Sequence, residues 1–236
     1  MAFLKAHWRD LLMINWSIPA ERVAPWVPAG CEVDTFGGET FASLVAFQFR
    51  ETRVLGVPIP GHRHFEEVNL RLYVKRETET ETRRGVVFVR EIVPRRMIAW
   101  VARTLYQEPY VAMPMSHQRR VTESGSLELE YRWGSHRVAA TAAAEIKDLE
   151  PATQAQFIAE HYWGYTPIRR RNKPDRTREY RVSHPSWQWR EVLKLESVVD
   201  MGSLYGTEWS DLTSATPSSV FVAVGSDVEV APWSKL

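Results

Sequence analysis

The 236-residue sequence is poor in cysteine and lysine: Cys31 is its only cysteine, and six lysines stand against 24 arginines among the 30 cationic side chains. A single cysteine excludes an intrachain disulfide and a zinc site built on several cysteines. No apolar run approaches the roughly 20 residues of a membrane-spanning helix. The N-terminal stretch carries charges and lacks the small-residue cleavage site of a signal peptide. The sequence therefore predicts a soluble, cytoplasmic protein without a membrane partner.

The net charge of +1 gives no long-range field that would attract nucleic acid or an anionic surface. The basic stretch Arg169–Arg171 lacks the interleaved aromatic residues of a single-strand binding groove, so a solvated loop is favoured over a nucleic-acid contact. That stretch lies in a basic loop, Ile168–Tyr180, and the charged, threonine-rich segment Glu77–Arg84 is typical of a hairpin tip. Both segments are interpreted as surface loops of a single domain that spans residues 1–236.

Alternation of apolar and polar residues with a period of two dominates the chain. Leu127–Trp133, the turn residues Gly134 and Ser135, and a second alternating run together predict a β-hairpin. Similar patterns predict strands at Thr40–Arg50, Glu67–Lys75, Gly85–Ile92, Glu179–His184, Glu191–Val198 and Ser219–Val230. Short helices are predicted near Pro19, over Arg95–Tyr106 and over Pro151–Gly164. Many strands with few helices predict a mainly β, α+β fold, in which a mostly antiparallel sheet, closed or nearly closed, carries a few flanking helices.

One predicted strand, Glu67–Lys75, carries an unusual polar face. Glu67, Asn69, Arg71 and Tyr73 share that face, and aliphatic residues form the other. In most antiparallel sheets the apolar face is core and the polar face is solvated. If helices cover the outside of a closed sheet, the polar face would instead line an interior that holds a small ligand. Both alternatives remain open at the level of the sequence.

The histidines and the known catalytic motifs do not indicate a metal site or a reaction type. His62 and His64 are spaced so that both imidazoles could contact one metal ion, but no residue at a suitable spacing supplies the third ligand that a metal site needs. The sequence contains no nucleophile elbow, phosphate-binding loop or dinucleotide fingerprint. No metal or cofactor site is therefore predicted.

Several segments together resemble a bacterial family of unknown function, the YqjF-like family, within the acetoacetate decarboxylase-like superfamily. They are "FEEVNLRLYV", "GVVFVREIVPRRMIAWVARTLYQEPY", "EHYWGYT", "YRVSHPSWQW" and "SVFVAVGSDVEV", in the order of that family and across nearly the whole chain. The resemblance implies a cone-like, closed antiparallel β-barrel with an internal cavity and flanking helices.

The segment "REIVPRRM" is similar to the part of acetoacetate decarboxylase that carries two adjacent lysines. In that enzyme the first lysine forms a Schiff base, and the second lowers the pKa of the first by like-charge repulsion. Aligning the prolines places Arg95 and Arg96 at the two lysine positions, although the preceding spacer is two residues shorter here. A guanidinium stays protonated and cannot form an imine, and no lysine lies between Lys75 and Lys147. Schiff-base decarboxylation is therefore not expected from this segment.

The resemblance also implies roles for two other residues. Arg9, in "HWRDLLMIN", matches an arginine that holds the substrate carboxylate in the family, and Glu67 is the nearest match to an acidic pocket residue. We expect a pocket for a small anionic or oxygen-rich organic ligand, with positive charge supplied by arginines. The candidate ligand-binding residues are Arg9, Asn69, Arg71, Tyr73, Arg95 and Arg96, and the candidate proton-transfer residues are Glu67 and Glu91.

Two functions remain open from the sequence. One is a lyase, hydratase or isomerase that acts on a small carbonyl or carboxylic acid without a Schiff base or a metal. The other is a non-catalytic protein that binds or senses a small molecule, since a fold does not fix a function. An exposed sheet edge or the tryptophan-rich C-terminal third could pair subunits, so a homodimer is a further expectation.

Overall fold

The structure, a computed structural model, describes residues 2–168 and 176–236, and in them it is mainly β. The strands are β1 (Leu4–Ile18), β2 (Glu32–Val33), β3 (Thr40–Val54), β4 (Val57–Pro58), β5 (Phe65–Glu77), β6 (Thr82–Val93), β7 (Tyr110–Ala112), β8 (Met115–Val121), β9 (Leu127–Trp133), β10 (His136–Ala142), β11 (Lys147–Asp148), β12 (Trp163–Ile168), β13 (Arg176–Ser183), β14 (Gln188–Val198), β15 (Ser219–Val230) and β16 (Ser234–Lys235). The helices are α1 (Ala20–Val23), α2 (Arg96–Val101), α3 (Gln154–Ala159) and α4 (Met201–Tyr205). Short 3₁₀ segments follow α1 and α4, and a π-helical turn, Ala102–Tyr106, continues α2.

Seven strands form a closed ring in the order β13, β12, β6, β5, β3, β1 and β15. The ring closes where Val182 and Ser183 of β13 pair with Val230 and Glu229 of β15. Long antiparallel ladders join β1 to β3 and to β15, and β5 to β3 and to β6. These pairings confirm the prediction of a mainly β fold with few helices.

The ring departs from the expected antiparallel barrel in two respects. β12 pairs with β6 in parallel, through Trp163↔Gly85 and Gly164↔Val86, and β7 also runs parallel to β6. The β12–β6 joint and the β13–β15 joint consist of only two residue pairs each. The arrangement is therefore a ring with two narrow joints and mixed strand directions.

Two apolar clusters lie on opposite faces of the ring strands. In one, the outer side chains of β1, β3, β5 and β6 pack against α4 and against β9 and β10, which extend the sheet beyond β14. In the other, inward-facing side chains of β1, β3 and β15 meet α3 and Trp187. β3 and β5 are both buried on two faces; the apolar residues of β3 occur in a nearly continuous run, whereas β5 keeps alternating polar and aliphatic residues.

The sequence pattern and the structure agree best at the hairpins. The predicted β9–β10 hairpin is confirmed, with His136↔Trp133 as the pair nearest the turn, and so is the β5–β6 tip, where Glu77 pairs with Thr82. β1 was not predicted, because its central run from Leu11 to Trp16 is buried on both faces and lacks alternation.

The predicted helix over Pro151–Gly164 is wrong in its length. α3 covers only Gln154–Ala159, and the following aromatic stretch forms β12 instead. Aromatic residues favour strands over helices, so the second half of the segment joins the ring. The expected basic loop Ile168–Tyr180 is wrong in its second part, because Arg176–Tyr180 belongs to β13; residues 169–175, which include Arg169–Arg171, lie outside the described residues.

Candidate functional site

A cavity of about 390 Å³ lies inside the ring. Strands β1, β3, β5, β6, β13 and β15 contribute side chains to its wall, and one side is formed by α2 and its π-helical continuation. Most of the lining is apolar, with rings such as Trp8, Phe47 and Phe88. A concave, mainly apolar cavity with a few polar groups is typical of a small-molecule site.

The polar face of β5 points into this cavity. Glu67, Asn69 and Arg71 line it, whereas the aliphatic residues on the other face pack in the outer apolar cluster. Neither face of the strand is solvated, so the cavity alternative describes the polar face better than the solvated one. Alternation alone was sufficient to bring these three residues together.

Glu91 reaches the cavity because of a bulge in β6. Arg71 pairs with Phe88 and Leu70 pairs with Arg90, so Val89 is an extra residue in the ladder. Without this extra residue, strict alternation from the cavity-lining Phe88 would turn Glu91 outward. The bulge reverses the alternation, and Glu91 lines the cavity directly opposite Asn69.

A third carboxyl group, Glu108, completes the polar part of the cavity. It follows Gln107, which ends the π-helical turn in the left-handed conformation with φ of 60°, and it precedes Tyr110 of β7. Its Oε1 accepts hydrogen bonds from Thr166 Oγ1 at 2.5 Å and from Tyr180 Oη at 2.9 Å. No sequence pattern indicates Glu108, since its approach to the cavity depends on a turn and on distant strands.

The three carboxyl groups share a small set of hydrogen-bond donors, among which Tyr110 also acts on Glu91, and one oxygen of Glu91 has none. Glu67 accepts hydrogen bonds from Asn69 Nδ2 and from Tyr110 Oη, each at 2.9 Å. Glu91 Oε2 is buried and has no hydrogen-bond partner among the described residues. A buried polar atom without a partner is costly unless a ligand or a proton satisfies it.

Burial raises the pKa values of all three glutamates. It raises the pKa of Glu67 and the pKa of Glu108 from 4.5 to about 7, against the opposing effect of their hydrogen bonds. Burial, followed by the charges of Glu108 and Glu67, raises the pKa of Glu91 well above 4.5. The cluster therefore holds protons near neutral pH, and its members influence one another.

Arg71 is fixed in orientation at the edge of this cluster. Its Nε donates to Tyr73 Oη at 3.2 Å, and its Nη2 donates to the carbonyl oxygen of Ile158 at 2.8 Å. Arg71 belongs to the cavity lining. It lies on the same inner face of β5 as Glu67 and Asn69, two residues after Asn69. It supplies positive potential from a defined position.

The other predicted ligand-binding residues lie elsewhere. Arg95 and Arg96 are exposed at the start of α2, and Arg9 is exposed on β1. Tyr73 is buried behind Arg71, where its hydroxyl lies 2.7 Å from Ser43 Oγ. The site predicted from these four residues is wrong in placement, because the turn after β6 directs Arg95 and Arg96 to solvent and the cavity wall ends at Arg71 on β5.

A second buried polar cluster lies beside α3, outside the cavity lining. His161 Nε2 and Asp34 Oδ2 are 2.9 Å apart, and Arg84 Nε donates to the same carboxylate oxygen at 2.8 Å. The His161 ring packs edge-on against Tyr73 and Phe157. This cluster anchors the segment after α3 to the ring.

The described residues contain neither a metal-ligand cluster nor a membrane-spanning helix. Among residues 2–168 and 176–236, no three histidine, cysteine, aspartate or glutamate side chains are arranged to hold a metal ion. Within the same residues, no helix has both the length and the apolar character needed to cross a bilayer.

Solved structures with this fold include enzymes of the acetoacetate decarboxylase type. An acetoacetate decarboxylase-like enzyme from Sphingomonas wittichii RW1 has a TM-score of 0.63 and 12% identity, covering 100% of this chain and 94% of its own. The acetoacetate decarboxylase of Legionella pneumophila has a TM-score of 0.65 and 11% identity, covering 99% of this chain and 86% of its own. The enduracididine biosynthesis enzyme MppR complexed with pyruvate has a TM-score of 0.64 and 14% identity, covering 100% of this chain and 90% of its own. At such identities these similarities establish the fold alone.

Similarity in sequence leads to proteins without an assigned function. The uncharacterized protein YqjF of Bacillus subtilis (strain 168) is 29% identical over 117 residues, which is 49% of this chain and 47% of that protein. The match thus spans about half the length of the curated relative. The profile of the uncharacterized conserved protein family DUF2071 matches residues 5–227, so the chain belongs to that family.

Proposed function

We propose that the protein is an acid–base enzyme, a lyase, hydratase or isomerase, that acts on a small, mostly apolar carbonyl compound without a Schiff base or a metal. The observation that carries this proposal is the group of three buried carboxyl groups, Glu67, Glu91 and Glu108, at one apolar cavity. Burial raises the pKa of Glu67 and the pKa of Glu108 to about 7, which suits proton transfer because each can be populated with or without its proton, and it raises the pKa of Glu91 well above 4.5, which favours the protonated form.

Glu67 and Glu91 take different roles in the proposed proton transfer. Ionised Glu67, whose two oxygens are oriented by Asn69 and Tyr110, would remove the proton from the carbon next to the carbonyl group. Protonated Glu91 would donate its proton to the carbonyl oxygen, so that an enol forms and the negative charge resides on Glu91. Glu67 would then deliver its proton to another carbon of the conjugated system, or to a hydroxyl group that departs as water from the next carbon, while the enol returns its O–H proton to Glu91 and the carbonyl re-forms.

Imine chemistry does not contribute to this proposal. Of the five described lysines, Lys5, Lys75, Lys147 and Lys194 each pair with carboxylates, Lys235 is exposed, and none of the five belongs to the cavity lining. Arg95 and Arg96, which the resemblance aligns with the reactive lysine pair, are exposed, and a guanidinium does not form an imine. Borohydride with a β-keto acid should therefore leave no covalent adduct on the protein.

A non-catalytic binding or sensing protein is the second candidate. The observation that favours it is the largely aromatic and aliphatic lining, which would hold an apolar ligand whether or not a proton moved. A single domain and a homodimer remain predictions from the sequence.

Exchange of hydrogen for deuterium tests the enzyme proposal. Small ketones and aldehydes would be incubated with the protein in deuterated buffer, and loss of the proton signal next to the carbonyl would be followed by NMR. We expect the wild type to accelerate exchange of at least one compound, and Glu67→Gln and Glu91→Gln each to lower that rate about 10²–10⁴-fold.

Glu66→Gln is the matched control, because Glu66 neighbours Glu67 but faces away from the cavity, with His117 Nδ1 at 2.7 Å from its Oε1. This control should retain the wild-type rate. If compounds of the panel bind to the wild type and none exchanges, the binding-protein function replaces the enzyme proposal.

A further inference from the structure

Two buried polar atoms in the cavity lack partners, and they lie on residues that face each other across two strands. Asn69 Oδ1 and Glu91 Oε2 have no hydrogen-bond partner among the described residues. Asn69 on β5 pairs directly with Glu91 on β6, and both side chains line the cavity. Directly opposed residues hold their side chains about 5 Å apart, so one ligand head can reach both.

The two atoms require complementary partners. The amide nitrogen of Asn69 donates to Glu67 Oε1, which leaves Asn69 Oδ1 as an acceptor that needs an N–H or O–H group. Glu91 lies in a buried cluster with two other carboxyl groups, where the three cannot all ionise because like charges repel. In its protonated form Glu91 offers an O–H donor, which needs an acceptor.

We infer that the ligand head is an uncharged carbonyl with a neighbouring hydroxyl group, in which the carbonyl oxygen accepts from Glu91 and the hydroxyl donates to Asn69 Oδ1. The inference rests on the proposed function for its use of a carbonyl compound, and it narrows that class to hydroxycarbonyl compounds. It also replaces the anionic ligand expected from the sequence.

The volume and the apolar lining of the rest of the cavity determine the size and character of the remainder of the ligand, its body. A volume of about 390 Å³ corresponds to about a dozen non-hydrogen atoms at roughly 30 Å³ each, the share of a water molecule in the liquid. Rings of Phe47, Phe88 and Trp8 contribute to the surrounding wall. A short aliphatic or aromatic body attached to the hydroxycarbonyl head therefore fits the site.

A series of ligands with one body and different heads tests the inference by binding alone. The compounds share a phenylpropyl body and carry a methyl ketone, a simple alcohol, a hydroxymethyl ketone, a carboxylate or a primary ammonium group. Isothermal titration calorimetry at mildly acidic pH should show the hydroxymethyl ketone binding about tenfold more tightly than the ketone or the alcohol, since each lacks one hydrogen bond. Tightest binding of the carboxylate or of the ammonium compound would overturn the inference.

Two variants assign the two hydrogen bonds. With Glu91→Leu the hydroxymethyl ketone should fall to the affinity of the simple alcohol, and with Asn69→Leu it should fall to the affinity of the ketone. Asn69→Ala is the second variant at that position if leucine prevents folding, and Glu66→Gln is the control that should preserve the wild-type ranking. If both variants keep the wild-type order of affinities, Glu91 and Asn69 do not form the hydrogen bonds with the hydroxycarbonyl group.

Failure of this inference and failure of the proposed function give different results. If a simple ketone exchanges its hydrogen for deuterium but the hydroxymethyl ketone does not bind more tightly, the proposed proton transfer stands and the inferred hydroxycarbonyl ligand is wrong. If the compounds show the expected order of affinities but none exchanges hydrogen, the inferred hydroxycarbonyl ligand stands and the proposed enzyme function is wrong.

Discussion

Glu108 is the residue at which the cavity and the stability of the fold are most directly linked. Its pKa is raised by burial from 4.5 to about 7, so between these pH values the folded protein retains a proton that the unfolded chain has released. The free energy of unfolding therefore decreases as the pH rises through this window, and the loss is complete above a pH of about 7. Below a pH of about 4.5 both states are protonated and the contribution is fully present.

Replacement of this carboxyl group by an amide should remove its share of the pH dependence. We expect wild type to lose on the order of 3 kcal/mol more than Glu108→Gln between mildly acidic and mildly alkaline pH, at about 1.4 kcal/mol for each pH unit between the two pKa values. Urea unfolding over that range measures the difference. The exposed Glu145→Gln should follow the wild type, and an equal pH slope in Glu108→Gln would contradict this assignment.

At the residue scale, the sequence identified the parts of the site that alternate along one strand. Glu67, Asn69 and Arg71 were grouped correctly, because strand geometry alone places them on one face. Glu108 and Tyr110 were not identified, since they reach the cavity through a left-handed turn and a parallel pairing with β6. Local patterns contain no information about such contacts between distant segments.

Among the elements, β6 shows how one extra residue changes the chemistry of a strand. The sequence named Glu91 as a candidate proton-transfer residue, which stays a prediction, and the structure places Glu91 in the cavity lining; strict alternation would have placed it on the same face as Val87 and Val89. Val87 and Val89 pack in the outer cluster, and the bulge at Val89 brings Glu91 inward. The helical pattern of α2 could not indicate which way Arg95 and Arg96 face, because both precede the part of the helix that packs on the cavity.

The contact between β12 and β13 depends on a glycine. A Cβ atom at Gly164 would lie 2.1 Å from Cζ of Tyr180, the phenol that donates to Glu108. We expect Gly164→Ala to lower the free energy of unfolding by about 1–3 kcal/mol, as overpacking does in other cores. Thermal or urea unfolding monitored by tryptophan fluorescence would measure this loss.

A double-mutant cycle separates this clash from a general effect of the substitution. In the background of Tyr180→Leu, Gly164→Ala should cost at least about 1 kcal/mol less than in the wild type, because the ring that it meets is gone. Equal costs in both backgrounds would show that the backbone, and not Tyr180, limits the position.

At the scale of the whole molecule, the ring pairs strands that lie far apart in the sequence. Lys5 of β1 pairs with Glu229 of β15, and these residues are 224 positions apart in the sequence. Contacts of this kind slow folding, since a long loop must close before the contact can stabilise it. We expect refolding to take on the order of seconds, as measured by stopped-flow tryptophan fluorescence, and complete refolding within a millisecond would contradict this topology.

The double burial of β5 has a consequence for how the protein can diverge. A substitution on this strand disturbs either the cavity or the outer apolar cluster, and neither face offers solvent to absorb a change. Met97, Ile98 and Val101 of α2, by contrast, contact the cavity from an element that lies at the surface of the molecule. Sequence drift and laboratory selection for new ligands should therefore accumulate changes in α2 first, while β5 retains both its acid and its aliphatic residues.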